Sequence, residues 1–285
     1  MKNHILKVFS IAMLISNTVN SQNKLYKINQ DSTSTLGLLK YDINTTLQSV
    51  KHAFTRPIYW KKKDYTKLGG LIAGTALLSL TDESVNNFAN KHSDKFPKLV
   101  RDVGWYFGSP QNYFMANAGL YGYGLFAKNE KVRYTSVLII SSSITSGFLQ
   151  SLAKNAFGRA RPGRDLGAFY FKPLSKEGGF HSFPSGHTVL SVTMTHAIAK
   201  QFKNPWVKTG IYAFGAIPPL SRLVDDAHWI TDIAFSTALS IIVVDSIDKF
   251  LKKNNAFDLD HNRPSNKISW NFMFSGNKVG LIGTF

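Results

Sequence analysis

The chain contains no cysteine, which excludes a disulfide framework and a thiolate metal site. It is also short of acid: 17 Asp plus Glu stand against 34 Lys plus Arg, a net charge of +17 over 285 residues. That imbalance favours an anionic partner, whether nucleic acid, anionic lipid or a phosphorylated small molecule, without choosing among them. Long low-complexity segments are missing as well. With 44% hydrophobic and 13% aromatic residues, the composition excludes extended disorder and allows one large core or two modest ones. At the N-terminus no apolar run reaches the ~20 residues of a spanning helix.

What the N-terminus does carry is Lys2, His4 and Lys7 ahead of the apolar stretch Val8 to Ile15, then Val19, Asn20 and Ser21. These are the flanks of a signal peptide, expected over residues 1–21 with cleavage near Ser21. An exported cell-envelope protein follows, which turns the positive charge away from nucleic acid and towards a membrane surface. Residues 22 to 50 are polar and read as an exposed arm with one short helix around Leu36 to Val50. From 51 to 67, six basic residues alternate with Phe54, Tyr59, Trp60 and Tyr65. Such a segment lies on anionic headgroups or forms a solvated basic loop.

Six apolar stretches then read as helices: Leu68 to Thr81, Tyr113 to Ala127, Tyr134 to Ala153, Gly186 to Ala199, Gly210 to Leu220 and Ile230 to Val244. The fold class is therefore all-α. A polar and basic arm over 22–65 precedes a helical domain over 66–253, and a tail over 254–285 follows. In that tail Ile268, Trp270, Phe272 and Phe274 alternate, Ser275, Gly276 and Asn277 turn, and Val279, Leu281, Gly283 and Phe285 alternate again, the pattern of a β-hairpin.

Two topology signals conflict. The basic segments 51–67, Lys128 to Arg133, Lys200 to Lys208 and Lys249 to Lys253 fall on one side of an alternating six-helix arrangement, the positive-inside pattern. A cleaved signal peptide would put those same loops outside. Three of the six stretches are also short for a span. Membrane association is the expectation, with the number of crossings open.

The connections between helices hold the chemistry. Lys154 is followed by Arg161 and Pro162; Ser185, Gly186 and His187 open the fourth helix; Arg222 is followed by His228 and then Asp232. His228 and Asp232, four apart, share a helix face, so the carboxylate can hold one imidazole nitrogen and leave the other as a nucleophile. Guanidinium forks match phosphate oxygens in pairs, and a helix opened by Ser and Gly offers backbone amides to an anion. His187 in that first turn can protonate a leaving oxygen.

Together these pieces resemble the type 2 phosphatidic acid phosphatase family, whose three signature motifs match over residues 154 to 232 in residue type, order and spacing. The resemblance implies a six-helix bundle and a metal-independent phosphatase that acts on phosphate mono- or pyrophosphate esters, lipid phosphates foremost. In that scheme His228 is the nucleophile and forms a phosphohistidine, Asp232 orients it, and His187 is the general acid and base. Lys154, Arg161, Arg222 and the Ser185 and Gly186 amides would hold the phosphate, with no cofactor and no metal. The active site would face the periplasm. One departure stands out: many members carry Gly two positions before the nucleophile, where this chain has Asp226 beside Asp225, and two carboxylates near a phosphate are unfavourable unless they point away or meet a cation. Two other readings are a vanadate-dependent oxidoreductase like the vanadium haloperoxidases, which resemble the same constellation, and a non-catalytic membrane protein.

Overall fold

The computed structural model describes residues 33–259 together with two strands, 269–275 and 278–284. The expected signal peptide, residues 1–21, lies outside the described residues. In chain order the helices are α1 (Thr35–Thr55), α2 (Lys62–Ser79), α3 (Asp82–Lys91), α4 (Lys98–Gly108), α5 (Pro110–Phe126), α6 (Glu130–Phe157), α7 (Gly186–Ala199), α8 (Pro205–Gly215), α9 (Ile217–Val224) and α10 (Ile230–Lys253). The strands β1 (Ser269–Ser275) and β2 (Lys278–Thr284) pair antiparallel, with Phe272 opposite Leu281 and Ser275 opposite Lys278. This is the register of the expected hairpin; Ile268, Gly276, Asn277 and Phe285 lie outside the described residues.

Local chemistry sets the boundaries. Asn129 caps α6 by accepting the Val132 N–H at 3.1 Å. Gly158 ends it in the left-handed region, at φ 58°, where an added Cβ would stand 1.9 Å from the Lys172 carbonyl oxygen, so only glycine fits. The stretch expected as one helix from Gly210 to Leu220 is instead divided at Ala216 between α8 and α9. Pro218 and Pro219 explain the break: without N–H groups they can sit only in a first turn.

Two further differences concern the N-terminal half. The segment expected as an exposed arm is largely α1, a 21-residue helix longer than the one foreseen, with Leu38, Asp42, Thr45 and Ser49 buried. Two helices, α3 and α4, also stand where a charged connection was expected, so the bundle holds more than six helices. α4 packs on α9, while α6, α7 and α10 pack on one another and α1 and α5 lean on α6.

The core gathers Tyr113, Tyr134, Val137, Leu138, Ile139, Leu190, Met194, Val243, Val244, Ile247 and Leu251. Small hydroxyl residues line its contacts, among them Ser143, Thr145 and Ser146, each bonded to the carbonyl four residues back. They allow close helix approach at little polar cost. Among the described residues, α6 and α10 are long and apolar enough to cross a membrane. Large apolar side chains face outward, including Leu77, Leu80, Met115, Phe126, Phe148, Leu152, Phe214 and Ile242.

Candidate active site

All three motif segments meet at one end of the bundle. The C-terminal end of α6 delivers Lys154, the N-terminus of α7 delivers His187, the last turn of α9 delivers Arg222, and the connection from α9 to α10 delivers His228. At the opposite end the turns 127–129 and 200–204 lie side by side, with the Lys131 ammonium 5.7 Å from the Phe202 ring centroid. Lys154, Arg161, Gly186, His187, Arg222 and His228 line one cavity of about 440 Å³, which Trp105, Gln150 and Ser143 complete.

Burial shapes the imidazoles. His228 is 2% exposed and Asp232 is fully buried behind it, with Nδ1 3.4 Å from Asp232 Oδ2. That separation is long for a hydrogen bond, and Nδ1 has no aligned acceptor; such a contact tightens as positive charge develops on the ring. Burial pushes the His228 pKa down to about 4, and the Asp232 carboxylate only partly opposes it. Burial likewise pushes His187 down to about 4, helped by Arg222 and His228. Both rings are therefore neutral at pH 7. His187 Nε2 is buried without a partner, and its ring lies 5.2 Å from that of Trp105. Gly108 of α4 makes this seat: a Cβ there would stand 2.7 Å from His187 Cδ2.

The cations are held from behind. Lys154 Nζ donates to the His181 carbonyl at 2.9 Å, and Arg161 Nε donates to that of Gly178 at 3.2 Å. Arg222 stacks on Trp105, its Cζ 4.6 Å from the ring centroid, and donates to Asp225. Ser185 is buried: its hydroxyl oxygen accepts from Thr188 Oγ1 at 3.0 Å and its N–H donates to Ser236 Oγ at 2.8 Å. Ser185 thus shapes the turn, while Gly186 and His187 contribute first-turn amides with no intrahelical acceptor.

The two carboxylates that break the family pattern both find partners. Asp225 sits between Arg222 and Arg101, whose Nε donates to it at 2.6 Å. Asp226, at φ 56°, turns the other way and accepts from the Asn86 and Asn90 side chains of α3 at 2.9 and 3.0 Å. Neither therefore confronts a phosphate with a free charge.

Sequence reasoning missed the groups around Asp232. Ser182 Oγ donates to its Oδ2, as does the Trp229 N–H at 3.0 Å, and Arg159 Nη1 donates to Oδ1 at 2.7 Å. Arg159 was legible as an arginine between Lys154 and Arg161. Its second partner, Asp82 of α3 at 2.6 Å, carries no local signal, nor do Trp105 and Gly108.

Residues 135–255, which contain every motif residue, match the PAP2 superfamily, the family that the motifs resemble. The chain carries a PAP2 superfamily domain. Its similarity extends to the lipid A 1-phosphatase of Rhizobium etli, 33% identical over 104 residues, which cover 36% of this chain and 44% of the relative. The lipid A 1-phosphatase of Porphyromonas gingivalis is 23% identical over 175 residues, covering 61% of this chain and 35% of the relative. The chain thus spans less than half the length of these curated relatives. No solved structure matches it. Asp82, Arg101, Trp105 and Gly108 lie outside the matched PAP2 segment, yet they complete its cavity or its buried ion network.

Proposed function

We propose that this PAP2 protein is a lipid phosphate phosphatase working through a phosphohistidine. The observation that carries the reading is the convergence of two neutral imidazoles and three cations on one cavity, with a buried carboxylate behind His228. The free imidazole nitrogen of His228 attacks phosphorus, forming the N–P bond as the P–O bond to the alcohol breaks. Positive charge then spreads over the ring and is met by Asp232. A phosphate dianion brings the negative charge that draws a proton to His187, which hands it to the departing oxygen. His187 next takes a proton from water, whose oxygen displaces His228 and releases inorganic phosphate. Lys154, Arg161, Arg222 and the amides at the start of α7 hold the non-bridging oxygens through both steps.

A lipid substrate is supported by the relatives' names, lipid A 1-phosphatase, and by the apolar outer faces of α5, α6 and α8. Beyond Arg161 and Arg222 a larger cavity of about 930 Å³ is lined by Lys95, Lys98 and Arg101 together with Asp94, Asp102 and Asp225, room for a bulky polar headgroup. The basic turns at the far end of the bundle favour a site on the outward, periplasmic side of the membrane.

The test is turnover of the full-length protein in detergent against p-nitrophenyl phosphate, phosphatidate and a phosphorylated glycolipid. Activity is expected to survive EDTA and to be inhibited by vanadate, which imitates five-coordinate phosphorus. His228→Ala should lower kcat by at least about a thousand-fold and abolish covalent phosphate. A full burst of phosphoenzyme in that variant, or activity that depends on added magnesium, overturns the reading.

A further inference from the structure

A buried ion network runs from the nucleophile's carboxylate to a helix outside the PAP2 segment. Arg159, 4% exposed, divides its guanidinium: Nη1 donates to Asp232 Oδ1 at 2.7 Å and Nη2 to Asp82 Oδ2 at 2.6 Å. Thr231 ties the two halves together. Its hydroxyl donates to Asp82 Oδ2 at 2.6 Å and accepts from Arg159 Nη1 at 2.7 Å, and its N–H donates to Asp82 Oδ1 at 3.0 Å. Asp82 is fully buried, and three donors account for its carboxylate.

One guanidinium facing two carboxylates leaves a net negative charge in the interior. With Arg159 alone against Asp232, that pair would be neutral and the carboxylate a weaker acceptor for the imidazole. With Asp82 opposite, part of the arginine's charge is already committed, and Asp232 keeps its pull on His228. We propose that Asp82, acting through Arg159, is a positioning residue that tunes Asp232 for the phosphohistidine step, so that α3 is part of the catalytic device. Among the described residues, the other charged or titratable groups facing His228 are Lys154, Arg161, Arg222 and His187; they are cationic or neutral, so that among the described residues Asp232 is the negative charge against the ring. The catalytic consequence rests on the phosphohistidine reading above, whereas the electrostatic one does not.

The test is Asp82→Asn in the full-length protein, which keeps shape and most hydrogen bonds but removes the charge. Expected are a folded protein, kcat lower by about ten-fold with KM near the wild-type value, and an acid limb of kcat/KM moved to lower pH. The His228 imidazole, titrated by ¹⁵N NMR, should show the same fall in pKa by about one unit. The NMR titration needs no turnover, so a protein without phosphatase activity still decides the charge relay, while His228→Ala decides the phosphohistidine. Wild-type kcat and an unmoved His228 titration in folded Asp82→Asn overturn the proposal. Should that variant not fold, Thr231→Val removes the bridging hydroxyl and must show both changes in the same direction; wild-type behaviour there overturns it equally.

Discussion

Two buried arginines, Arg133 of α6 and Arg159 just after it, hold N-terminal helices in place, and they are built differently. At the end with the basic turns, Arg133 meets Asp42 of α1 through Nη2 at 2.7 Å and Nε at 2.8 Å, and Tyr121 adds a third donor at 2.9 Å. Both partners are almost fully buried. This contact is two-pronged, with two charge-assisted bonds from one guanidinium to one carboxylate. At the site end, Arg159 is shared between Asp82 and Asp232. The first arrangement gives both prongs to one carboxylate and holds α1 against α6. The second leaves a negative charge beside a buried imidazole, where a developing cation needs it. Where both prongs meet one carboxylate the arginine serves architecture; where they are divided between two, one of the carboxylates stands behind the imidazole.

The comparison is broken most severely at the architectural end. Asp42→Ala takes two charge-assisted bonds from the buried Arg133 guanidinium and should cost about 3–5 kcal/mol of stability. Denaturant unfolding in detergent measures the loss, while kcat of the folded fraction should stay at the wild-type value. A comparable loss of kcat would show that the two ends are coupled after all.

Acid should sharpen the contrast. An unfolded histidine takes its proton near pH 6.5, whereas His187 and His228 in the folded protein do so only near 4. Between those values the unfolded state binds more protons, so stability is full above pH 6.5, falls as the pH drops towards 4, and levels off below. The fall should be on the order of 3 kcal/mol per ring, visible as a declining Tm. His228→Asn should flatten that decline, while Asp42→Ala should leave its slope intact. Equal slopes in wild type and His228→Asn would remove the His228 imidazole as a source.

The smallest effect concerns the residue that departs from the family pattern. Asp226→Gly relieves a left-handed backbone but gives up the bonds from Asn86 and Asn90, so stability should change by no more than about 1 kcal/mol. KM for phosphate substrates should change less than about two-fold. A marked fall in KM would mean that the Asp226 charge reaches the cavity, contrary to its orientation in the structure.

Much of this protein could be read before its structure. The all-α class followed from period and composition, and the motif residues were named from the resemblance of the motifs; the expected shared helix face of His228 and Asp232 did not hold, because α10 begins at Ile230 and His228 stands just before its N-cap Trp229. Where local signals were ambiguous the reading slipped. Residues 33–55 look polar because α1 buries a stripe of Asp42, Thr45 and Ser49 beside Leu38 rather than an apolar face, and polar composition then reads as exposure. The charged connection 82–108 hid α3 and α4, whose buried partners lie far along the chain. Pro218 and Pro219 were visible, and their power to split a helix was legible there.

The boundary between the two kinds of knowledge falls at sequence distance. Residue type and short spacing reach on their own only local pairs, such as His228 and Asp232 four residues apart; that His187 and the three cations belong with them is what the resemblance of the three motifs implied. That Asp82 stands 2.6 Å from Arg159, that Gly108 makes room for His187, and that Asp225 and Asp226 turn to Arg101, Arg222 and two asparagines depend on helix packing. Those contacts join residues far apart along the chain, and no local rule of spacing reaches that far; the close-packed interior has to be in place before such partners can meet.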